Sequence, residues 1–303
     1  MPVIRTGNFS ALLAPDRYRV YVETGRERPL EFPFWLNVLD LPWHNFTNQQ
    51  ISGLGTMPQK PEGTFFTLDE PILGSTKTHA ATTYGFGFEV TFEMWNRELY
   101  GIMDMMAREL RRSSNNRMEV DAHNVFNNAF VTTDFTTFDG AALISTAHTT
   151  LDGRSSVANR PSIEIEPGLT AFQNGIIHFH NLTNERNIPS LRAPRHVMVT
   201  PEYLFTTRET LGSTHKPFTA DNEINALVQE DLTFMISHYA DTNTQWMMFA
   251  AKGDHDMNFY VETRPQFDYF DDPRSKNAVF VVYQAHEPSE ADEWRGTYGS
   301  TGA

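Results

Sequence analysis

The sequence has no cysteine among its 303 residues. This absence excludes a disulfide scaffold, a thiolate zinc site and a cysteine nucleophile, and it fits assembly in a reducing cytoplasm. The opening residues, MPVIRTGNFSALLAPDRY, lack the basic region and the apolar core of a signal peptide. No stretch approaches the length of a membrane span, so we expect no contact with a membrane.

Basic residues are also scarce. The chain has 24 Lys and Arg residues against 38 Asp and Glu, which gives a formal net charge of −14. A chain of this charge does not bind nucleic acid through its overall electrostatic field. Hydrophobic residues make up 40% of the chain and aromatic residues 13%, which is enough for a sizeable folded core.

The pattern along the chain predicts an α+β protein. Prolines punctuate residues 1–47 without helical periodicity, which indicates an extended arm. Residues 56–92 are rich in β-branched and aromatic residues on both sides of turn residues at 70–77, and predict a long hairpin. An amphipathic helix is expected over roughly 95–129, with an interruption at RRSSNN. The remainder mixes strands and helices without βαβ regularity.

The segment LISTAHTTLDG raises the question of a hydrolase. Its STAH step resembles the segment that presents the catalytic histidine in chymotrypsin-like serine proteases. The sequence has no nucleophile segment such as GDSGG or G-x-S-x-G, so a catalytic role for His148 is disfavoured. Asp-Gly turns at 139–140 and 152–153 around a short strand are the simpler interpretation.

Other candidate sites are weak. His178 and His180 lie in a predicted helix, which separates their side chains, and GFGF at residues 85–88 lacks the third glycine of a dinucleotide site. We therefore expect no metal, no cofactor and no enzymatic activity. The basic cluster RELRRSSNNR favours a solvated helix face over a nucleic-acid contact, with Arg108 and Arg112 on the solvent side.

Three segments, in this order, resemble the major capsid proteins of tailed bacteriophages. DGAALISTAHTTLDGRSSVAN resembles a family signature. In that signature, Asp-Gly, a short apolar stretch and a small residue come before a histidine, and a glycine and an asparagine come after it. VTPEYLFTTRETLGSTHKPFTADNEIN resembles a later segment in which a strand enters a proline-started helix, and DEWRGTYGS resembles the usual ending. The resemblance runs from about Thr82 to the end of the chain.

The resemblance implies the Hong Kong 97-type capsid fold. The expected division is an N-terminal arm at 1–50, an extended loop formed by a β-hairpin at 51–92, a peripheral domain with a long spine helix at 93–165, an axial domain at 166–262, and the return strand and C-terminal tail of the peripheral domain at 263–303. The signature residues are expected to be structural: Asp139, Gly140, His148, Gly153 and Asn159.

The implied function is that of a major capsid protein. Hexamers and pentamers would form an icosahedral head shell around double-stranded DNA, assembled in the host cytoplasm. Portal and scaffold proteins are the expected partners, the sequence leaves a cement or decoration protein open, and contact with packaged DNA would be weak. An encapsulin-like compartment shares the fold and is poorly discriminated by sequence. A soluble hydrolase using His148 is the more distant alternative.

The extended loop is expected to clasp a neighbouring subunit, because a lone hairpin cannot cover its own faces. Its contact residues are predicted to be Phe65, Phe66, Asp69, Glu70, Lys77, Tyr84, Phe86 and Phe88. The resemblance places the spine helix along the inner surface of the shell. Arg108 and Arg112 are therefore expected to face the capsid interior.

Overall fold

A computed structural model of the chain describes residues 10–27, 29–41, 43–96, 100–153, 157–217, 223–275 and 277–302. The helices are α1 (Ser10–Glu27), α2 (Phe92–Asn96), α3 (Tyr100–Ala122), α4 (Asn124–Asn127), α5 (Leu169–Asn181) and α6 (Leu204–Gly212). The strands are β1 (Asn37–Asp40), β2 (Asn45–Ile51), β3 (Leu73–Ala80), β4 (Thr82–Val90), β5 (Pro194–Val199), β6 (Thr233–Ile236), β7 (Trp246–Ala250), β8 (Met257–Asp271), β9 (Ala278–His286), β10 (Glu290–Ala291) and β11 (Thr297–Ser300). Within these residues, no helix is both long and apolar enough to cross a membrane.

The first sheet has the order β1-β8-β9-β4, with β10 also paired to β8. Its longest pairings are antiparallel, β8 with β9 and β9 with β4, whereas β1 runs parallel to β8. The sequence of β9, AVFVVYQAH, supplies the β-branched and aromatic residues that a half-buried strand needs. Helix α3 packs on this sheet through Met103 and Leu110, which meet Phe280 and Val282 of β9 in buried clusters.

The second sheet has the order β11-β7-β5-β6. Every residue of β7 is buried, as its continuous apolar sequence WMMFA requires. Helix α5 covers this sheet with Phe172 and Phe179, which pack with Trp246 and Met248. The helix at HFH and the strands β5 to β9 confirm the elements expected from sequence in the second half of the chain.

The C-terminal strand β11 lies beside β7 in the second sheet. The region 263–303 is therefore divided, because β9 belongs to the first sheet and β11 to the second. The largest core lies where the two sheets meet and includes Trp35, Phe126, Phe249, Phe259 and Trp294, all at most 2% exposed. Residues from the two ends of the chain thus share one core.

The hairpin differs from its predicted pairing. Strand β3 pairs with β2, and the connection between them is an irregular loop at residues 52–72. Strand β4 pairs along its whole length with β9, so the predicted hairpin at 56–92 is wrong. Alternation of apolar and polar residues identifies a strand but does not identify the strand with which it pairs. Strand β4 pairs with the buried strand β9, where Phe88 stacks on Phe280 at 5.0 Å.

The N-terminal arm contains a helix that its sequence did not predict. Residues Ser10–Glu27 form α1, whereas residues 1–9 lie outside the described part of the chain. Tertiary contacts stabilise this helix: Arg17 pairs with Asp104 of α3, and the hydroxyl of buried Tyr21 accepts a hydrogen bond from Arg111 at 3.1 Å. Packing against α3 outweighs a weak intrinsic helical pattern.

The spine helix is continuous through RRSSNN, so the predicted interruption is wrong. Buried Ser114 makes this possible, because its hydroxyl donates to Gln284 of β9 at 2.7 Å. The buried face of α3 runs through Met103, Ala107, Leu110, Ser114 and Met118. Ile102 and Met106, expected in the apolar stripe, are instead about two-fifths exposed.

Candidate functional site

The signature segment begins with a turn that positions Asp139. The amide of Gly140 donates to the carbonyl oxygen of Thr137 at 2.9 Å, and Gly140 has φ +79°, which favours glycine. One carboxylate oxygen of Asp139 contacts the Thr137 hydroxyl and accepts from the Ala141 amide. The other accepts from His148 Nδ1 at 2.8 Å and from the Thr149 amide at 3.1 Å. This carboxylate is fully hydrogen-bonded.

A second turn closes the segment. The amide of Gly153 donates to the carbonyl oxygen of Thr150 at 3.0 Å, and Gly153 has φ +84°. On either side of this second turn, His148 and Val157 exchange both backbone hydrogen bonds, at 2.7 and 3.2 Å. The two Asp-Gly turns are confirmed, whereas the short strand expected between them is reduced to this isolated bridge at His148.

The amide of Asn159 also uses all its hydrogen-bonding capacity. Its Oδ1 accepts from the Ser145 amide at 2.8 Å and contacts His148 Nε2 at 3.1 Å. Its Nδ2 donates to the Leu143 carbonyl oxygen at 2.8 Å and to the Thr297 hydroxyl at 3.2 Å. Because a carbonyl can only accept, Leu143 fixes the orientation of the amide, and His148 Nε2 must be a donor.

Both ring nitrogens of His148 are therefore engaged, Nδ1 with Asp139 at 2.8 Å and Nε2 with Asn159 at 3.1 Å. Its ring stacks on Trp294, with centroids 4.4 Å apart and planes at 10°. Burial alone would raise the pKa of Asp139, but the hydrogen bonds from His148 and Thr137 and the charge of His148 outweigh burial and lower it to about 2. We call Asp139, His148, Asn159 and Trp294 the signature cluster.

The signature cluster holds the local structure together. His148 is completely buried, and both of its nitrogens are occupied. The nearby Ser145 hydroxyl accepts from the Ala147 amide, and the Ser145 backbone amide donates to Asn159. The cluster links His148 and Asn159 to the C-terminal segment through Trp294 and Thr297. The sequence identified its signature residues by their motif, whereas the contacts of Trp294 and Thr297 appear only in three dimensions.

A second polar cluster, missed from sequence, lies where the hairpin meets the chain after β9. We call it the hairpin-root cluster; it consists of Lys77, His79, Glu287, Glu290 and Asp292. Lys77 Nζ lies 2.5 Å from Glu290 and 3.3 Å from Asp292. His79 Nε2 lies 3.1 Å from Asp292, and Nδ1 lies 3.3 Å from Glu287. Short-range motifs could not reveal it, since Lys77 and His79 are some 210 residues before the three acidic residues in sequence.

Burial and charge oppose each other in the hairpin-root cluster. Burial tends to lower the pKa of His79, but its contacts with Asp292 and Glu287 raise it to about 10. Burial raises the pKa of Glu290 to about 7, against the effect of Lys77. For Asp292, burial alone would raise the pKa, but the hydrogen bonds with His79 and Asn48 and the charges of His79 and Lys77 together lower it. The cluster joins the hairpin to its own subunit by ionic contacts.

The loop between β2 and β3 is the most exposed apolar part of the described chain. Phe65 is 97% exposed and Phe66 78%, and the loop also exposes Leu54, Met57 and Leu68. The base of the loop is closed by hydrogen bonds, since Asp69 accepts from the Gly55 amide at 2.7 Å and Arg186 contacts the Glu70 carbonyl. Of the predicted contact residues, Phe65 and Phe66 are therefore free to meet a neighbour.

The aromatic residues of β4 lie outside the hairpin, contrary to prediction. The Tyr84 hydroxyl accepts from Arg117 at 3.1 Å, and its ring stacks on His286 at 4.8 Å. Phe88 packs on Phe280 within the same subunit. Phe86 is largely exposed, on the sheet and not on the hairpin. Lys77 is also mostly covered, because it belongs to the hairpin-root cluster.

Arg108 and Arg112 lie on the exposed face of α3, as expected. Arg112 pairs with Glu109 at 2.5 Å, with both side chains more than half exposed. Arg112 and Glu109 also line a cavity of about 580 Å³ between α1 and α3, together with Glu27 and Glu119. The positive charge of Arg112 is thus offset locally by carboxylates.

The model of a phage capsid protein family matches residues 74–299 of the chain. None of the curated proteins compared with the chain matches it. The capsid of Cyanophage P-SCSP1u aligns over 91% of this chain and 89% of that chain, with a TM-score of 0.56 and 9% identity. The virus-like particle from Pyrococcus furiosus aligns over 94% and 97%, with a TM-score of 0.52 and 8% identity.

The holo-SrpI encapsulin complex from Synechococcus elongatus PCC 7942 aligns over 88% of this chain and 85% of that chain, with a TM-score of 0.52 and 7% identity. At such identities the likeness concerns the fold, which is the Hong Kong 97 type. The family and the fold point to a structural, non-enzymatic subunit located in a virion capsid. The chain belongs to the phage capsid protein family and is a capsid shell protein.

Proposed function

We propose that this chain is the major capsid protein of a tailed-phage head, in which hexamers and pentamers form an icosahedral shell around double-stranded DNA. The observation that supports this assembly most directly is the exposed apolar loop at residues 52–72. An uncovered patch of this kind is typical of a protein-protein contact. A neighbouring copy is the occupant that a shell of identical subunits supplies.

The proposed roles follow the domains expected from the sequence. The arm would be residues 1–44 and the extended loop about 45–80, because β2 pairs with β3. The peripheral domain would be 93–165 with the return strand at 263–296, and the axial domain 166–262 together with β11. Portal and scaffold proteins would be partners, and a decoration protein could bind the outer surface. Assembly would take place in the host cytoplasm.

The exposed face of α3 is proposed to line the capsid interior. Arg108 and Arg112 would meet scaffold or DNA there, and each contact would be weak, because exposed charges contribute under about 1 kcal/mol. A net charge of −14 supports a shell that does not adhere to its genome. Asp69 and Glu70 close the base of the loop within their own subunit. At the contact with a neighbour they would add polar interactions at its rim.

Electron microscopy of the purified protein tests the proposal. We expect closed shells or rings of five and six subunits, with the loop of one subunit lying on its neighbour. Light scattering that finds only monomers, even when a scaffold protein is co-expressed, would contradict the assembly.

An encapsulin-like compartment is the second candidate, because the similarity to an encapsulin is as extensive as the similarity to phage capsids. The contents of purified particles distinguish the two. Nuclease-protected DNA of uniform length supports a phage head, whereas a stoichiometric protein cargo without DNA supports a compartment.

A further inference from the structure

Three side chains of the hairpin-root cluster place ligand atoms around one point. A ring nitrogen of His79 and carboxylate oxygens of Glu287 and Glu290 all lie within 4.8 Å of one another. His79 and Glu287 are 1% and 5% exposed, and Glu290 is partly buried. A buried imidazole next to two carboxylates is an arrangement that divalent transition metals bind in proteins.

Two buried atoms of this group lie close together without a hydrogen bond. His79 Nδ1 and Glu287 Oε2 have no hydrogen-bond partner, although they lie 3.3 Å apart. In tetrahedral zinc sites, ligand distances of about 2.0–2.1 Å place neighbouring ligand atoms about 3.3 Å apart. These two atoms already have that spacing, and a carboxylate oxygen of Glu290 lies within 4.8 Å of the other two ligands.

The surrounding residues hold the ligands in the orientation that a metal needs. The other ring nitrogen of His79, Nε2, lies 3.1 Å from Asp292, whose carboxylate also accepts from Asn48 at 2.8 Å. A carboxylate on the far nitrogen is the common outer-shell partner of a metal-binding histidine, because it fixes the tautomer and the ring plane. The second oxygen of Glu287 accepts from the Ala80 amide at 3.2 Å.

We propose that His79 Nδ1, Glu287 and Glu290 form a binding site for a first-row divalent transition metal, with Zn²⁺ as the ion that best suits one imidazole and two carboxylates. The site would join β3 of the hairpin to the segment that follows β9. It would stabilise the direction in which the hairpin leaves the subunit. The proposal concerns a single subunit and does not depend on the shell.

Lys77 is the competing cation. Its ammonium group lies 2.5 Å from Glu290, so a metal must displace it, and its second contact with Asp292 at 3.3 Å offers it a place to remain. His79 must also lose the proton on Nδ1 before it can bind, so affinity rises with pH. Removing the charge of Lys77 should therefore strengthen metal binding, which a purely ionic cluster would not do.

The experiment measures Zn²⁺ and Co²⁺ binding to the full-length protein at pH 7.5, by isothermal titration calorimetry after chelator treatment. We expect one ion per subunit, Co²⁺ absorption bands in the visible range, and no comparable binding of Mg²⁺. Glu287→Gln, Glu290→Gln and His79→Gln should each weaken binding by at least about 10–100-fold, and Lys77→Gln should tighten it.

A surface pair provides the matched control. His44 and Glu262 have the same nitrogen-oxygen distance of 3.3 Å, but His44 is mostly exposed. His44→Gln should leave the affinity unchanged. Equal affinity in wild type and Glu290→Gln, or loss of binding in His44→Gln, would overturn the site. Circular dichroism checks that each variant is folded, and Zn²⁺ should raise the melting temperature of the wild type but not that of Glu290→Gln.

Discussion

Two irregular parts of this subunit, residues 137–153 with 157–159 and the loop at 52–72, differ in how far their side chains are buried. In the first segment, Asp139, His148 and Asn159 hydrogen-bond to their own chain, and Leu143 and Ile144 are fully buried. In the second, Phe65 is almost fully exposed. Irregular backbone can thus be part of the core when its polar groups are paired. The loop has apolar side chains that its own subunit leaves in water.

From this difference we expect the signature cluster to stabilise the folded subunit and the loop to form contacts between subunits. Changes in the loop should therefore abolish shells without unfolding the subunit. Changes in the signature cluster should unfold the subunit first. The four predictions below test that separation, beginning with the largest effect.

Replacing residues 57–67 by a short Gly-Ser linker should abolish closed shells while leaving the subunit folded. The linker keeps the hydrogen bond between Gly55 and Asp69 that closes the base of the loop. Full burial of a Phe, Met or Leu side chain contributes about 1.5–3 kcal/mol, so several such contacts per subunit decide assembly. Particle yield by sedimentation and fold by circular dichroism measure the two effects.

The matched control for the loop changes Gln59 and Glu62 to Ser, since both are exposed in the same loop. Shells of normal yield are expected from this control. Normal, heat-resistant shells from the shortened loop would show that the apolar side chains are not the contact. The double substitution Phe65→Ser, Phe66→Ser should reproduce most of the loss with fewer changes.

Asn159→Ala should lower the free energy of unfolding of the subunit by at least about 3 kcal/mol. It leaves the Ser145 amide, the Leu143 carbonyl and His148 Nε2 without their partner, and each unpaired buried group costs about 1–3 kcal/mol. Urea unfolding of dissociated subunits gives the value. The exposed Asn116→Ala should change it by less than about 0.5 kcal/mol. If Asn159→Ala and Asn116→Ala lowered the free energy of unfolding equally, the signature cluster would have no special structural role.

Asp139→Asn should destabilise the subunit by about 2 kcal/mol at neutral pH and much less in acid. The folded pKa of about 2 lies below the ordinary value of 3.8. The ionised carboxylate therefore stabilises the fold fully above about pH 4, and this contribution is lost as the pH falls towards 2. The difference between wild type and variant is measured by urea unfolding at pH 6 and pH 2.5.

The exposed Asp40→Asn serves as the control for this pH series, because its side chain is 78% exposed. It should show a small difference at both pH values. A difference for Asp139→Asn that stays constant from pH 6 to 2.5 would contradict the role of its charge.

The double substitution Arg108→Ser, Arg112→Ser should have the smallest effect. Exposed charges interact weakly and are screened by salt, so we expect slightly lower assembly or packaging at low ionic strength and none at high ionic strength. Particle yield and DNA content across a salt series report it. Arg264→Ser, an exposed arginine paired with Asp40, is the matched variant. If the double variant assembled and packaged DNA like the wild type at every salt concentration, Arg108 and Arg112 would have no role at the capsid interior.

Sequence patterns located most elements of the fold but paired some of them wrongly. The apolar runs of β5, β7 and β9 and the helix at HFH were recognisable because burial imposes a local period. The pairing of β4 with β9 was not, because a strand pattern does not specify its partner. Helix α1 was missed for a similar reason, since contacts with α3 stabilise it.

The sequence by itself determined the family, the α+β class and the residues of the signature, because short motifs fix local turns such as the one that positions Asp139. Only the tertiary structure decided how His148 is held, since Asn159 and Trp294 approach it from different parts of the chain. The same holds for the hairpin-root cluster, where His79 meets Glu287 and Asp292. Contacts between residues some 210 positions apart depend on the packing of the whole core, which no local pattern encodes.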